Sequence, residues 1–323
     1  MLRTVLYVYL STLCLYLVLR LSFGDSLWWL SLLNTFAPSL FLPLLIALPL
    51  TWFRRWRLKF ALSSLLLGTG LLWFGPTVPF PRQLSDRSET GVELEVVTYN
   101  MRADTAGLES WLQTLDADVV MLQEIPEAYT EGAPALLERY PYQTGQSEAW
   151  GNMVLSRHPL TETGDVGTDK IQRAEIDIGG RSVALYNVHL RWPIGEPRFS
   201  SLPWFELNAL SSYDDTVRNQ QVDTLITSLR REPLPYVVAG DFNMSQYAAT
   251  YGRVAEVAQD AFRRAGTGWG NTWPTELQSG LPVPLLLRLD YIWYSEAFDV
   301  DKVERGPELA SDHLPVYATL RLR

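Results

Sequence analysis

The chain is poor in the residues that build disulfides and zinc sites. It has one cysteine and three histidines in 323 residues. The cysteine, Cys14, lies in an apolar run near the N-terminus, so no disulfide can form within the chain. With neither a cysteine cluster nor an HExxH motif, the sequence argues against a zinc centre. A cysteine-free remainder is compatible with an oxidising compartment.

Several common catalytic motifs are also missing. The sequence has no Gly-rich phosphate loop, no dinucleotide-binding glycine fingerprint and no GxSxG motif. These absences argue against P-loop nucleotide hydrolysis, a Rossmann-type cofactor site and the serine-nucleophile chemistry of α/β-hydrolases.

Acidic residues are nearly absent from the first 80 residues. Of the 36 acidic and 27 basic residues of the chain, one and six respectively lie there. The remainder therefore carries 35 negative and 21 positive charges, a formal net charge of −14. A field of this sign repels nucleic acid and anionic membrane surfaces, which weakens a nucleic-acid-binding interpretation without excluding it.

The first 80 residues contain three long apolar runs, Leu2–Phe23, Leu27–Phe53 and Phe60–Phe80. Spanning a bilayer takes roughly 20 apolar residues, so we expect a membrane anchor of about three transmembrane helices in residues 1–80. A cleaved signal peptide would explain only the first run. The second run holds three prolines, so it is either a kinked span or a re-entrant segment.

Basic residues predict the orientation of this anchor. The cluster RRWRLK, Arg54–Lys59, separates the second and third runs, and Arg3 is near the N-terminus. Basic residues concentrate on the cytoplasmic side, so three spans would place everything after Phe80 outside the inner membrane. Arg20 argues mildly against this orientation. We expect residues 81–91 to be a linker and residues 92–323 to be a catalytic domain.

Residues 92–323 read as an α/β domain. The segments Val92–Asn100, Asp118–Glu124 and Arg181–Leu190 are typical of strands, and residues 215–230 are typical of a helix. Strands outnumber helices, and hairpins mix with helical crossovers. This pattern favours a two-layer or sandwich α/β domain over a wound parallel sheet.

Polar side chains end or interrupt the apolar strands at six points along this domain. Taken singly, most are ordinary turn residues. Asp290 is the exception, because a carboxylate inside the apolar segment LRLDYIW needs a partner when buried. If the strand ends meet at one edge of a sandwich, the six points form one site: Asn100; Glu124; Asn187 and His189; Asp241 and Asn243; Asp290; Asp312 and His313.

These residue types suit hydrolysis of a phosphoester. Glu124, Asp312 and Asn100 offer hard oxygen ligands, which suit Mg²⁺ or Mn²⁺. A histidine beside a carboxylate, His313 with Asp290, can take a proton from water. Amides and a second histidine can stabilise charge on a phosphoryl group. Asp312 and His313 are neighbours, and neighbours on an extended backbone face opposite sides and can serve two partners.

The order of motifs TYN, LQE, YNVHL, GDFN, RLDYIW and SDHLPV resembles the endonuclease/exonuclease/phosphatase superfamily from about Val92 to Arg323. That superfamily includes deoxyribonucleases, abasic-site endonucleases, neutral sphingomyelinases and inositol polyphosphate 5-phosphatases. The resemblance implies an α/β fold that is a four-layer α/β sandwich, with two packed mixed sheets flanked by helices. It also implies metal-dependent phosphoester hydrolysis.

The resemblance implies roles residue by residue. Glu124 resembles the principal Mg²⁺ ligand, helped by Asn100 and Asp312. His313 resembles the base that activates water, oriented by Asp290.

Asp241 and Asn243 resemble the pair that positions the nucleophile and contacts the phosphate, and His189 resembles the phosphate-stabilising histidine. Asn152 and Asn187 are expected to bind substrate.

Two other residues stand apart from these roles. His158 is expected to be structural. Arg102 stands where some members place a second acid, so the resemblance leaves open whether one metal ion or two would bind.

The substrate remains open between two classes, because a fold of this kind hosts many functions. The segment 191–215 carries large aromatic residues that either cover a hydrophobic patch or meet the bilayer or an acyl chain, among them Trp192, Phe199, Trp204 and Phe205. Together with the anchor and the acidic charge, it favours a phosphodiesterase or phosphatase acting on lipid headgroups or similar phosphoesters. The alternative is an anchored nuclease, for which basic residues are candidates: Arg102, Arg191, Arg198 and Arg218. A non-catalytic binding protein is the least favoured, and no obligate protein partner is inferred.

Overall fold

The computed structural model describes residues 1–77, 91–126, 134–145, 151–168, 170–195, 211–275 and 286–323. The chain forms two compact units. The helical unit comprises residues 1–76, 194–215 and 245–251, and the sheet unit comprises residues 77–193, 216–244 and 252–323. Most of the predicted linker, and the aromatic residues Phe199, Trp204 and Phe205, lie outside the described residues. The domain boundaries inferred from the sequence stay a prediction.

Five helices form most of the helical unit: α1 (Leu2–Phe23), α2 (Trp28–Thr35), α3 (Ala37–Phe41), α4 (Leu44–Phe53) and α5 (Arg57–Phe74). Helices α1 and α5 are long and apolar enough to cross a membrane. The middle run is broken and bends by 77° between α2 and the helices that continue to Phe53. Prolines near the starts of α3 and α4 explain the break, because proline supplies no backbone N–H to a preceding turn. The described chain therefore offers two spans, or three if the bent pair counts as one.

Polar contacts tie two later segments of the chain into the helical unit. Arg20 Nη2 donates a 2.6 Å hydrogen bond to the Tyr247 carbonyl, and the Ala249 amide donates to Asp25. The Ser31 hydroxyl donates a 2.6 Å bond to Asp215. A fragment lacking the helices would leave these groups without their partners, so experiments on this protein need the full chain.

The sheet unit is built on two six-stranded mixed sheets. The first has the order β11-β12-β1-β2-β4-β3 and the second β5-β6-β7-β8-β10-β9. Their bounds are β1 (Val92–Asn100), β2 (Val119–Ile125), β3 (Tyr142–Gly145), β4 (Gly151–Ser156), β5 (Leu160–Asp165), β6 (Ile171–Ile178), β7 (Arg181–His189), β8 (Tyr236–Asp241), β9 (Gln259–Asp260), β10 (Asp290–Tyr294), β11 (Phe298–Arg305) and β12 (Val316–Leu322).

The main core lies between the two sheets. Alternate residues of β1 and β2, such as Val96 and Met121, pack with residues of β7 and β8, such as Leu185 and Val237. A second cluster covers the other face of the first sheet, where strand residues meet helices. The remaining helices are α6 (Leu108–Leu112), α7 (Pro134–Arg139), α8 (Thr216–Leu229), α9 (Ala249–Val254) and α10 (Ala261–Ala265). The predicted class, two mixed sheets flanked by helices, is confirmed.

Strand direction brings polar residues to one edge of each sheet. In the first sheet β1 and β2 are parallel, with Asn100 beside Gln123. In the second sheet β7 and β8 are parallel, with His189 beside Asp241, and antiparallel β10 begins with Asp290 opposite Asp241. Because carboxyl ends of parallel strands meet at the same edge, the polar ends of each parallel pair lie together. The strand expected from the apolar segment before Asp290 starts only at Asp290 itself.

Candidate active site

Asn100 joins the polar ends of the two sheets. It is the last residue of β1 and is 1% exposed. Its side-chain amide donates a 3.1 Å hydrogen bond to Glu124 Oε1 and a 3.0 Å bond to Asp241 Oδ2. One residue of the first sheet therefore contacts a carboxylate from each sheet, as expected if the strand ends form a single site.

Glu124 lies beside His189 in a strained backbone conformation. It has φ 50°, a left-handed value that is unusual for a residue with a side chain. Its Oε1 atom is 3.3 Å from His189 Nε2. Burial by itself would raise the pKa of Glu124, but the hydrogen bond and charge of His189 and the Asn100 amide together hold it below its ordinary value. The carboxylate is thus kept ionised, as a cation ligand must be.

His313 and Asp290 form a buried pair that faces Asp241. The His313 Nδ1 atom is 2.9 Å from Asp290 Oδ2, and its Nε2 atom is 3.8 Å from Asp241 Oδ2. Burial opposes the charged imidazolium, but the carboxylates of Asp290 and Asp241 outweigh it and raise the pKa of His313 to about 10. For Asp241, burial is the largest cause and Asp290 adds to it, so its pKa rises to about 6 despite the charge of His313.

A tight turn after β8 holds Asn243 against Asp241. The backbone N–H of Asn243 donates a 2.8 Å hydrogen bond to Asp241 Oδ1, and the Asn243 side-chain amide donates a 3.1 Å bond to Asp241 Oδ2. Asn243 has φ 48°. From α8, Arg218 Nη1 donates a 2.8 Å bond to the Asn243 carbonyl, and Arg218 is 1% exposed. Its burial makes Arg218 a support of this turn and removes it from the candidates for a nucleic-acid contact.

Asp312 faces different partners from its neighbour His313. Its Oδ2 atom accepts a 3.0 Å hydrogen bond from Trp273 Nε1 and lies 3.6 Å from Arg102 Nη1. His313 turns instead towards Asp290. The two neighbours thus make separate contacts, as expected, although they lie in a bend before β12 and not on an extended strand.

Asn187 and Asn152 are buried between strands. The Asn187 side-chain amide donates to the carbonyls of Leu122 and Met153, both at 3.0 Å, and its oxygen accepts a 2.7 Å bond from Gln123. Asn187 has no exposed surface, and Asn152 is 8% exposed. These bonds occupy the Asn187 amide in joining β7 to β2 and β4, which argues against the expected substrate contact. The sequence suggested a site residue at position 187 because the Asn187 amide interrupts an apolar strand.

The donor set fits a hard divalent cation. Asp241, Asp290 and His313 offer ligand atoms within 4.8 Å of one another, and Asn100 links Asp241 to Glu124. Asp290 Oδ1 is buried without a hydrogen-bond partner among the described residues. Carboxylate and amide oxygens with no sulfur suit Mg²⁺ or Mn²⁺. This geometric cluster differs from the predicted ligand set of Glu124, Asn100 and Asp312, but the Asn100 bonds connect Glu124 to the cluster through Asp241.

Two supporting residues were not recognised from the sequence. Trp273 holds the Asp312 carboxylate from a loop with no regular pattern, which gave no signal. Gln123 precedes Glu124 in a strand of apolar residues, and it is fully buried. A polar side chain at that position of an apolar strand needs hydrogen-bond partners, which could have marked Gln123 as a supporting residue. Gln123 also bonds to the Thr98 hydroxyl at 3.1 Å, so it ties β1, β2 and β7 together behind the site.

Solved structures with this fold come from several organisms. An endonuclease/exonuclease/phosphatase from Beutenbergia cavernae is 20% identical, with 72% of each chain covered and a TM-score of 0.52. D. rerio TDP2 complexed with a single-strand DNA product is 19% identical, covers 71% of this chain and 99% of its own, and has a TM-score of 0.52. A Bacteroides vulgatus protein of the same description is 17% identical over 72% of this chain and 99% of its own, with a TM-score of 0.50. At these identities the likeness concerns the fold. No curated protein sequence matches the chain.

The family model for the Endonuclease/Exonuclease/phosphatase family matches residues 97–313, more than half of the chain. The match runs from β1 to His313 and so includes every predicted site residue. Members of the family are hydrolases that act on phosphoesters. The chain belongs to the endonuclease/exonuclease/phosphatase family.

Proposed function

We propose that the protein is a membrane-anchored, divalent-metal-dependent phosphoester hydrolase. The observation that carries the proposal is the bonding of Asn100 to both Glu124 and Asp241, beside the His313–Asp290 pair. A purely structural set of turn residues would not gather two histidines and three carboxylates around one buried amide.

Glu124 and Asn100 would hold the cation, with Asp312 as a further oxygen ligand. The preferred ion is Mg²⁺ or Mn²⁺, given the oxygen donors. A cation held there would polarise a phosphoryl oxygen and would offset the carboxylate charge that raises the pKa of His313.

His313 acts as the general base. Asp290 binds its Nδ1 atom and so leaves Nε2 to face the water. The 3.8 Å separation between Nε2 and Asp241 Oδ2 is longer than a direct hydrogen bond, so Nε2 stays available and both atoms can contact one water molecule beside them. The water oxygen attacks phosphorus, its proton passes to His313, and the ester oxygen leaves with the phosphorus–oxygen bond electrons.

Asp241 and Asn243 position the attacking water and contact the phosphate. Their mutual hydrogen bonds, together with the Arg218 bond behind the turn, fix both side chains before substrate arrives. His189 lies on the Glu124 side of Asn100 and stabilises charge on the phosphoryl oxygens.

The membrane helices motivate the location. With Arg3 and the cluster at 54–59 on the cytoplasmic side, three spans place the catalytic residues outside the inner membrane. There the substrates would be lipid headgroups or similar phosphoesters. The formal charge of −14 after residue 80 weakens the case for nucleic acid, which is a polyanion. Phosphomonoesters and phosphodiesters both remain within the proposal.

The test is a substrate panel on the full-length protein in detergent, with Mg²⁺ or with chelator. The panel holds phospholipid in mixed micelles, bis-p-nitrophenyl phosphate, p-nitrophenyl phosphate, and single- and double-stranded DNA. We expect Mg²⁺-dependent release of a phosphate product from the lipid or small esters, and none from His313→Ala. Hydrolysis that survives both chelator and this substitution would overturn the mechanism. Cleavage of DNA alone would establish the nuclease instead.

A further inference from the structure

The turn 101–104, directly after β1, holds Arg102 in strained backbone. Arg102 has φ 48° and Ala103 has φ 56°. The Arg102 amide donates a 3.1 Å bond to Asn100 Oδ1, and the Ala103 amide donates a 2.7 Å bond to the Glu124 carbonyl. Strain of this kind persists only where the surroundings hold it. The turn is therefore fixed by the two residues at the centre of the candidate site.

The Arg102 side chain is loosely paired and half-exposed. Its Nη1 atom is 3.6 Å from Asp312 Oδ2, and 42% of the side chain is exposed. That separation is longer than a hydrogen bond, so the contact with Asp312 does not occupy the N–H donors of the Arg102 guanidinium. Asp312 meanwhile accepts its hydrogen bond from Trp273. A guanidinium carries five N–H donors in a planar fork that matches phosphate oxygens.

The negative charge of the site residues would repel an anionic substrate unless a positive side chain such as Arg102 lies nearby. Four carboxylates, those of Glu124, Asp241, Asp290 and Asp312, are bonded or paired within it. An anionic phosphoester that approaches them meets repulsion. Arg102 puts a permanent positive charge beside them, on an exposed side chain that a substrate can reach.

We propose that Arg102 binds a non-bridging oxygen of the substrate's phosphoryl group. This inference rests on the proposed function, and it names Arg102 as the residue that favours substrates with more negative charge on the phosphoryl group. A phosphomonoester dianion carries one more negative charge than a phosphodiester monoanion, so it depends more strongly on Arg102.

Binding of inorganic phosphate to the full-length protein, measured by calorimetry with chelator present, isolates the contribution of the chain from any metal ion. We expect Arg102→Gln to weaken phosphate binding at least about tenfold, the size of one charge-assisted hydrogen bond, and Arg102→Lys to weaken it less. Arg230→Gln is the matched control, because Arg230 also lies 3.6 Å from its carboxylate partner, Glu256. Arg230 directly follows the C-terminal end of α8, whereas Arg218 lies near its N-terminal end, roughly 20 Å away at 1.5 Å per residue. The Arg230→Gln variant should therefore leave phosphate binding unchanged.

Kinetics on the two small esters complete the test. Arg102→Gln should raise KM for p-nitrophenyl phosphate more than for its diester. Arg102→Lys keeps the positive charge but loses the planar fork of donors, so it remains informative if the glutamine variant fails to fold. Unchanged phosphate affinity in a folded variant would show that Arg102 only neutralises Asp312, and the inference would fail. His313→Ala separates the two proposals, because it should abolish turnover and retain phosphate binding. A wild-type protein that binds phosphate through Arg102 but hydrolyses nothing would sink the proposed function alone.

Discussion

His313 and Asp290 are 23 residues apart in sequence, yet the His313 Nδ1 atom lies 2.9 Å from Asp290 Oδ2. Asp290 opens β10, and His313 precedes β12 in the other sheet. The contact therefore depends on the packing of one sheet against the other. It fixes the imidazole by one nitrogen and leaves the second for chemistry.

The pair should behave as one unit in kinetics. We expect His313→Ala to lower kcat by about 10²–10⁴-fold, the usual contribution of a general base. Asp290→Asn should cost less, because the imidazole remains. Since Asp290 acts through His313, the double variant should be no slower than His313→Ala. Losses that multiply would show that Asp290 acts independently.

Removal of the Glu124 charge should weaken metal use. We expect Glu124→Gln to raise the Mg²⁺ concentration for half-maximal activity by at least about tenfold, because a neutral amide is a poorer ligand for a hard cation. Calorimetric Mg²⁺ titration provides a readout that does not need turnover. Glu175→Gln, on β6 beside Arg173, is the control. Equal Mg²⁺ affinity in Glu124→Gln and wild type would remove Glu124 from the ligand set.

Asn187 should matter for stability and not for substrate affinity. Asn187→Ala removes three buried hydrogen bonds, with the Gln123 side chain and with the carbonyls of Leu122 and Met153, so the free energy of unfolding should fall by about 3 kcal/mol. Urea unfolding of the full-length protein in detergent measures this. Asn152→Ala, which loses one long 3.4 Å bond, should cost less. A raised KM at unchanged stability would restore the substrate role.

The Glu232 cluster should make stability depend on pH. Glu232 accepts two hydrogen bonds from Arg173, at 2.8 and 3.1 Å, and one of 2.6 Å from Tyr186. Although burial raises the pKa of Glu232, these bonds outweigh it and hold the pKa below its ordinary value of 4.5. Its stabilisation is then complete above 4.5 and is lost as the pH falls through the lower folded value.

We expect Glu232→Gln to lower the free energy of unfolding by about 2 kcal/mol at neutral pH, because a buried ion pair loses one partner. The gap to wild type should close as the pH falls below 4.5. Glu256→Gln, at an exposed pair, should show no such pH dependence. A gap that stays constant down to pH 3 would contradict the assignment.

The topology can be tested without any substrate. A reporter that is active only outside the cytoplasm, fused after Phe80, should be active. Replacing the basic residues at 54–59 with neutral residues should reduce the reporter activity, because these charges orient the helices. A silent wild-type fusion would reverse the proposed orientation.

The sequence by itself determined the residue types and their order. Apolar runs without acidic residues predicted helices long and apolar enough to cross a membrane. The order of polar residues at strand ends also identified the family, and it predicts a site that includes Glu124, Asp241 and His313. These features are local, so they can be read along the chain.

Tertiary structure decided which of these residues meet. Asn100 bonds to Asp241 only because two sheets pack face to face, and no local pattern encodes that distance. Tertiary structure likewise decided that Asn187 and Arg218 are buried, because exposure depends on everything that packs around a side chain. The same packing placed residues 211–215 and 245–251 in the helical unit, through the Ser31 and Arg20 hydrogen bonds, although both segments lie far along the sequence.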